Sequence, residues 1–176
     1  MNFRKVVPLL TICSVLVVVG GARVASAQPF ADLVCAGGGL GRLDPGATLT
    51  ASPQHLTAEI RAGTAASPLT PCSSVTGVPY TGATFVLDGT GNLGCLSGKV
   101  SGTAVVTWDN GEVSTANWSL NLPLFVLPIF DFRFIAGPLA GARASLLGAP
   151  TGFGGNCVSH PLTRLGGVGV GLILRV

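Results

Sequence analysis

His55 and Glu59, together with the distant His160, are the side chains with most scope for acid–base or metal chemistry. In an extended strand, positions 55 and 59 project from the same surface two pleats apart, which would set an imidazole near a carboxylate. The same spacing is that of an ordinary solvated strand face. Nothing in the flanking pattern buries or pairs these groups, as perturbed functional groups require, so the solvated face is the reading adopted. Other chemical signatures are missing. There is no GxSxG elbow, no HExxH and no CxxC pair. The glycine-rich stretch 35–41, CAGGGLG, lacks the Lys-Ser/Thr and the amphipathic helix of a phosphate loop, and the spacing Gly167, Gly169, Gly171 is not followed by the helix of a dinucleotide site. The acids are dispersed, with no arrangement suited to glycoside hydrolysis. The expectation is a non-catalytic protein with no cofactor and no metal.

Cysteine chemistry is the clearer theme. Arg4 and Lys5 precede an apolar run, Val6 to Val19, and Ala25-Ser26-Ala27 reads as an export-signal cleavage site that leaves Gln28 as the new N-terminus. The apolar run is shorter than the roughly 20 residues of a spanning helix. Neither Cys13, after Ile12, nor Cys35, after Val34, has the small preceding residue of a lipoprotein cysteine. Beyond the signal lie Cys35, Cys72, Cys95 and Cys157, an even set in an exported chain, which favours two disulfides over a zinc cluster. Three pairings are open. Cys35–Cys72 with Cys95–Cys157 is preferred, on the ground that each closes a loop between neighbouring strand blocks.

The formal charge of +3 on the 176 residues resides wholly in the signal, whose Arg4, Lys5 and Arg23 face no acid. The remainder carries seven cations and seven acids, scattered along the chain. Nucleic acid, which demands clustered positive charge, is disfavoured as a partner.

The elements that would position these residues are strands. Lys99 to Leu122 reads as a hairpin around Asp109-Asn110-Gly111. A two-residue turn would separate the two tryptophans. A three-residue loop, with Gly111 in the left-handed conformation of a bulge, pairs Trp108 with Glu112. It places Val100, Gly102, Ala104, Val106 and Trp108 on one face with Ser114, Ala116, Trp118 and Leu120, and leaves Trp118 opposite Gly102 with room for its indole. The second register is preferred. Gln54 to Ala62 alternates, with Leu56, Ala58, Ile60 and Ala62 inward, and ends at Gly63. Thr81 to Asp88 sends Ala83, Phe85 and Leu87 inward and closes at Gly89-Thr90-Gly91. Asn92 to Ser97 is a short strand carrying Cys95. Ile129 to Ile135 aligns Phe130, Phe132 and Phe134. Gly141 to Leu147 is a further strand candidate, followed by a turn-rich connection, Gly148 to Gly155. From Leu165 to Val176, Val168, Val170, Leu172, Leu174 and Val176 share one face and Gly167, Gly169 and Gly171 the other, a bare surface suited to close packing. Gln28 to Gly41 reads as a flexible leader, Asp44-Pro45-Gly46 as a turn, Ala47 to Ala51 as a short strand, and Ala65 to Pro79 as a loop held by Cys72.

Between Leu120 and Ile129 the chain is unusually apolar. Leu124, Phe125, Val126 and Leu127, framed by Pro123 and Pro128, form either a buried corner or an exposed binding lip. No segment shows a helical period, and turn signals recur about every 8–12 residues. The fold class is therefore all-β, one domain over residues 28–176, with about 8–10 short antiparallel strands. A sandwich stapled by two disulfides is preferred, and a closed or partly closed barrel is the alternative.

Several of these pieces resemble a broad group of short secreted actinobacterial proteins of unknown function. The pieces are the Ala25-Ser26-Ala27 end of the signal, Cys35, Pro71-Cys72-Ser73-Ser74, Leu93-Gly94-Cys95-Leu96, Val106-Thr107-Trp108-Asp109-Asn110-Gly111, Ala136-Gly137-Pro138-Leu139-Ala140-Gly141 and the tail after Cys157. Pro123 to Phe134 departs from that group in being more apolar and aromatic. The resemblance implies export, four cysteines and a β fold, and brings no catalytic residues. The functional expectation is an extracellular or cell-envelope binding or structural module, with an envelope component or a small apolar ligand as partner. The alternative is a carrier of a small apolar ligand or a membrane-active barrel, and a secreted enzyme or protease inhibitor ranks below both.

Overall fold

The structure, a computed structural model, describes residues 31–122 and 129–175. The signal assigned to residues 1–27 lies outside them. Among the described residues nine strands follow in chain order: β1 (Ala31–Ala47), β2 (Ser52–Gly63), β3 (Ser73–Ser74), β4 (Gly82–Leu93), β5 (Gly98–Trp108), β6 (Val113–Leu122), β7 (Ile129–Ala136), β8 (Arg143–Phe153) and β9 (Leu162–Leu174). All pairings are antiparallel. Each long strand bonds to the next along the chain, and β9 returns to β1, so the sheet closes into an eight-stranded up-and-down barrel. β3 is a two-residue addition to β1 beyond the point where β2 ends. The sheet closes on itself rather than splitting into the two layers of the preferred sandwich. The reason lies in β1.

The stretch read as a flexible leader is the longest strand of the barrel. Cys35-Ala-Gly-Gly-Gly-Leu-Gly41 is bonded to β2 on one side and to β9 on the other. Its even-numbered residues face outward, while Leu33, Cys35, Gly37, Gly39, Gly41 and Leu43 face the interior opposite Ala62, Ile60, Ala58 and Leu56 of β2. Asp44-Pro45-Gly46 does not end the strand. It forms an irregularity between the Arg42–Arg164 and Ala47–Leu162 pairs, held by Gln54, whose side chain both accepts from Gly46 N and donates to Gly46 O. The short strand expected at 47–51 is instead the end of β1 and its connection to β2.

Two other boundaries move for a related reason. β4 continues through Gly89-Thr90-Gly91 to Leu93, and Gly94 to Ser97 is a turn rather than a strand. β8 continues through Gly148 to Phe153. In both cases the glycines are strand positions facing the interior, not punctuation.

The central hairpin takes the preferred register. Gly102 pairs with Trp118, Ala104 with Ala116 and Val106 with Ser114. Trp108 N donates to Glu112 O, and Gly111, at φ 87°, sits in the left-handed region that closes the three-residue loop. The Trp118 indole lies over Gly89 and Gly102, and its Nε1 donates to the carbonyls of Asp88 and Thr103. A Cβ on either glycine would run into the indole or the facing backbone. Phe85, Phe130, Phe132 and Phe134 pack around this wall, with Phe85 and Phe132 rings 5.3 Å apart.

Glycine tolerance should therefore differ by position. A Cβ on Gly37 would press on the Arg61 carbonyl, whereas one on Gly171 meets nothing closer than Leu146 Cδ1 at 3.6 Å. Gly37→Ala is expected to lower stability by roughly 2 kcal/mol or more, and Gly171→Ala to change it by under about 1 kcal/mol, read from urea midpoints with disulfides intact.

Candidate ligand-binding cavity

The two ends of the barrel are built differently. At one end, the long β2–β4 connection folds across the interior and buries Val78 and Tyr80. Tyr80 stacks on Trp108 with ring centroids 4.5 Å apart, and Trp108 in turn stacks on Phe134 at 6.0 Å. Trp108 Nε1 donates to the buried Ser114 Oγ at 3.0 Å. Cys35–Cys72 ties the connection to the inner face of β1. Buried Asp32 accepts from Thr76 Oγ1 and pairs with Arg175 at 3.4 Å. Leu139 and Ala142, from the β7–β8 turn, complete the plug.

At the other end the interior is hollow. A cavity of about 260 Å³ lies among inward residues of β1, β2, β8 and β9 and the ends of β4, β6 and β7. One wall is glycine: Gly37, Gly39 and Gly41 from β1, Gly167 and Gly169 from β9, and Gly148 from β8. The opposite wall is Leu56, Ile60, Leu93, Leu120, Leu122 and Phe130. Among the described residues, none of the side chains around the cavity is polar or charged. The glycine face of β9, expected to serve close packing, is this wall. A second, smaller hollow of about 40 Å³ lies nearer the plugged end, among Ala83, Phe85, Trp108, Phe132 and Ile173.

The second disulfide crosses this end. Cys95 lies in the β4–β5 turn and Cys157 in the β8–β9 connection, which stand on opposite sides of the barrel in the strand order. Their Cα atoms are 6.2 Å apart, so the two connections meet over the mouth. Cys95 N donates to Thr48 O at 2.8 Å, which adds the β1–β2 connection to the strap. The preferred pairing is thus the one formed. The reason given for it fails for Cys95–Cys157, which joins opposed rather than neighbouring blocks.

The acid–base candidates lie elsewhere. His55 and Glu59 share the exposed outer face of β2, where His55 meets Asp88 at 3.0 Å and Glu59 meets Arg61 at 2.7 Å. His160 is in the β8–β9 connection, bonded to Ser159 and Asn156. Each histidine or acid of the trio is engaged by a different neighbour, as on a solvated surface. No group of three metal-ligating side chains occurs among the described residues. The candidate lip, Leu124, Phe125, Val126 and Leu127, lies outside the described residues. The cavity itself escaped the sequence reading because its glycines resemble a linker and a turn. The available hint was the repeated every-second glycine in 37–41 and 167–171.

One ionisable contact distinguishes the plugged end. Tyr80 OH donates to Glu112 Oε2 at 2.6 Å, with Asn110 Nδ2 on the same oxygen. Burial, and then the hydrogen bond to the Glu112 carboxylate, push the Tyr80 hydroxyl from 10.0 up to about 12. The bond from Tyr80, then that from Asn110, hold the Glu112 carboxyl below its usual range. Glu112 therefore adds stability that is lost as pH falls through its lowered folded value. Tyr80 works in the other direction: between about 10 and about 12 the unfolded chain loses the phenolic proton first, so stability falls as pH rises. Because Tyr80 is the only tyrosine, an absorbance titration of tyrosinate reads this group alone. The expected midpoint is near 12 in the folded protein and near 10.0 once it is denatured. Nothing among known protein families, curated proteins or solved structures matches the chain, so the cavity is read from its own geometry.

Proposed function

We propose that the protein is an exported, non-catalytic binding barrel that holds a small neutral apolar molecule in its glycine-walled cavity. The observation that carries this reading is a hollow of about 260 Å³ with no polar side chain around it among the described residues, inside a barrel whose other end is closed by the Tyr80–Trp108 plug. Apolar cavities do not hold water well, and one of about 150 Å³ accepts benzene. On that scale this cavity suits about ten carbon atoms. A buried charge would find no partner, so a neutral compound is favoured over a carboxylate or an amine. The signal read in residues 1–27, the two disulfides and the resemblance to secreted actinobacterial proteins all support export. No helix among the described residues is long and apolar enough to cross a membrane. A membrane-spanning barrel is a poorer fit, since outward positions of β4, β5 and β6 include Thr84, Asp88, Lys99, Thr103, Asn117 and Asn121. Spanning barrels carry an apolar band about 25 Å tall around the whole circumference.

Titration calorimetry with decan-1-ol and decanoate tests the reading. Decan-1-ol should bind, and decanoate should bind at least about tenfold more weakly near neutral pH. Ala58→Phe fills part of the cavity from β2 and should abolish decan-1-ol binding while keeping the near-ultraviolet circular dichroism of the tryptophans. Equal binding of both compounds, or binding untouched by Ala58→Phe, would count against it. The strap should govern exchange: Cys95→Ala with Cys157→Ala is expected to speed ligand release in stopped flow by about tenfold or more, without removing the binding site.

A further inference from the structure

The outer surface of the same wall carries an apolar band. Leu40 of β1, Val168, Val170 and Leu172 of β9 and Leu147 of β8 all point outward, with Leu40 68% and Val168 70% exposed. Val170 stands directly opposite Leu147, so the band is continuous across adjacent strands. Exposed apolar side chains that are contiguous, rather than scattered singly, mark interaction surfaces.

Cations frame the band. Arg42 of β1 pairs with Arg164 of β9 at one end, and Arg133 of β7 pairs with Arg143 of β8 at the other. All four are exposed, and among the described residues none lies within ion-pair reach of an acid. Like charges opposed across strands cost stability and give the barrel nothing in return. They become favourable where both guanidinium groups meet anionic oxygens. Of the acids beside them, Glu59 is engaged by Arg61 and Asp131 by Ser145, while the exposed Asp44, two residues from Arg42 along β1, lies outside ion-pair reach of it.

A second copy of the chain is a poor occupant. A two-fold contact that stacked this face on itself would bring arginine pairs against arginine pairs or against the apolar band. An anionic bilayer surface satisfies both features together: the aliphatic side chains enter the headgroup boundary while the arginines bind lipid phosphates. We infer that the β8–β9–β1 outer wall docks the barrel, without spanning, on a membrane rich in anionic phospholipid.

Vesicle flotation of the purified protein tests this. Binding is expected to phosphatidylglycerol-containing vesicles, at least about tenfold weaker to pure phosphatidylcholine, and falling as salt rises. Arg42→Ala with Arg164→Ala should weaken binding by roughly tenfold or more. Leu147→Ser with Val170→Ser alters only outward side chains and should reduce binding comparably, while decan-1-ol binding reports that the barrel is intact. Absent or charge-independent vesicle binding would overturn the inference. So would binding that survives both double substitutions, which would place the contact elsewhere on the chain. A dimer in solution that Leu147→Ser with Val170→Ser dissociates would give the face to a second copy and overturn it as well.

Discussion

Closure of the sheet through β1 is the constraint on which the rest of this structure depends. A strand bonded on both sides has no free edge, and once β1 joins β2 to β9 every strand acquires an inside and an outside. β1 achieves this with glycine at three successive inward positions, 37, 39 and 41. Any Cβ at 37 or 39 would run into the carbonyls of Arg61 or Glu59. Bare backbone lets the strands approach closely there, and it also leaves the space inside unfilled. Seam and cavity share one origin.

The interior is accordingly divided. Along β4 to β7, the inward positions hold Phe85, Trp108, Trp118, Phe130, Phe132 and Phe134, and their glycine partners at 89 and 102 exist to admit an indole. Along β8, β9 and β1, glycines face one another, and no described side chain of the opposite wall fills the gap at the strapped end. Close packing is the norm in protein interiors, and a hollow of this size forfeits dispersion contacts along its whole lining. A bound hydrocarbon would restore them. The Cys95–Cys157 strap lies over that end and the Tyr80–Trp108 stack seals the other, so the barrel has the form of a cup with a tied mouth. Strand β9 serves both readings: its glycines make the inner wall, and its valines make the outer band.

Much of the polar and aromatic half of the barrel was legible in the sequence. The hairpin register followed from where an indole fits, the 54–62 and 129–135 faces from plain alternation, and the disulfide pairing agreed with the structure. Glycine defeated the reading elsewhere. At 37–41, 89–91 and 148 it has the local appearance of linker or turn, because local sequence cannot distinguish a glycine that bends the chain from one that makes room inside a sheet. That distinction depends on what lies across the barrel, a non-local fact. Closure is hidden from local sequence for the same reason, since without β1 the sheet has two edges and a sandwich is the natural arrangement. The diametric reach of Cys95–Cys157 was likewise invisible until the strand order was known.

The chemistry-bearing residues taught a related lesson. His55, Glu59 and His160 drew attention by type, yet each is engaged by its own neighbour on the exterior, while the feature with functional content is made of residues that have no chemistry of their own. The central claim is that a neutral apolar molecule occupies the glycine-walled cavity. Native mass spectrometry of the protein taken from its own host, without reductant, tests it most directly. The account predicts a mass lacking four thiol hydrogens and carrying an added neutral compound of about ten carbons that departs on denaturation. A protein that arrives bare, or bearing only a charged hydrophilic adduct, would contradict it.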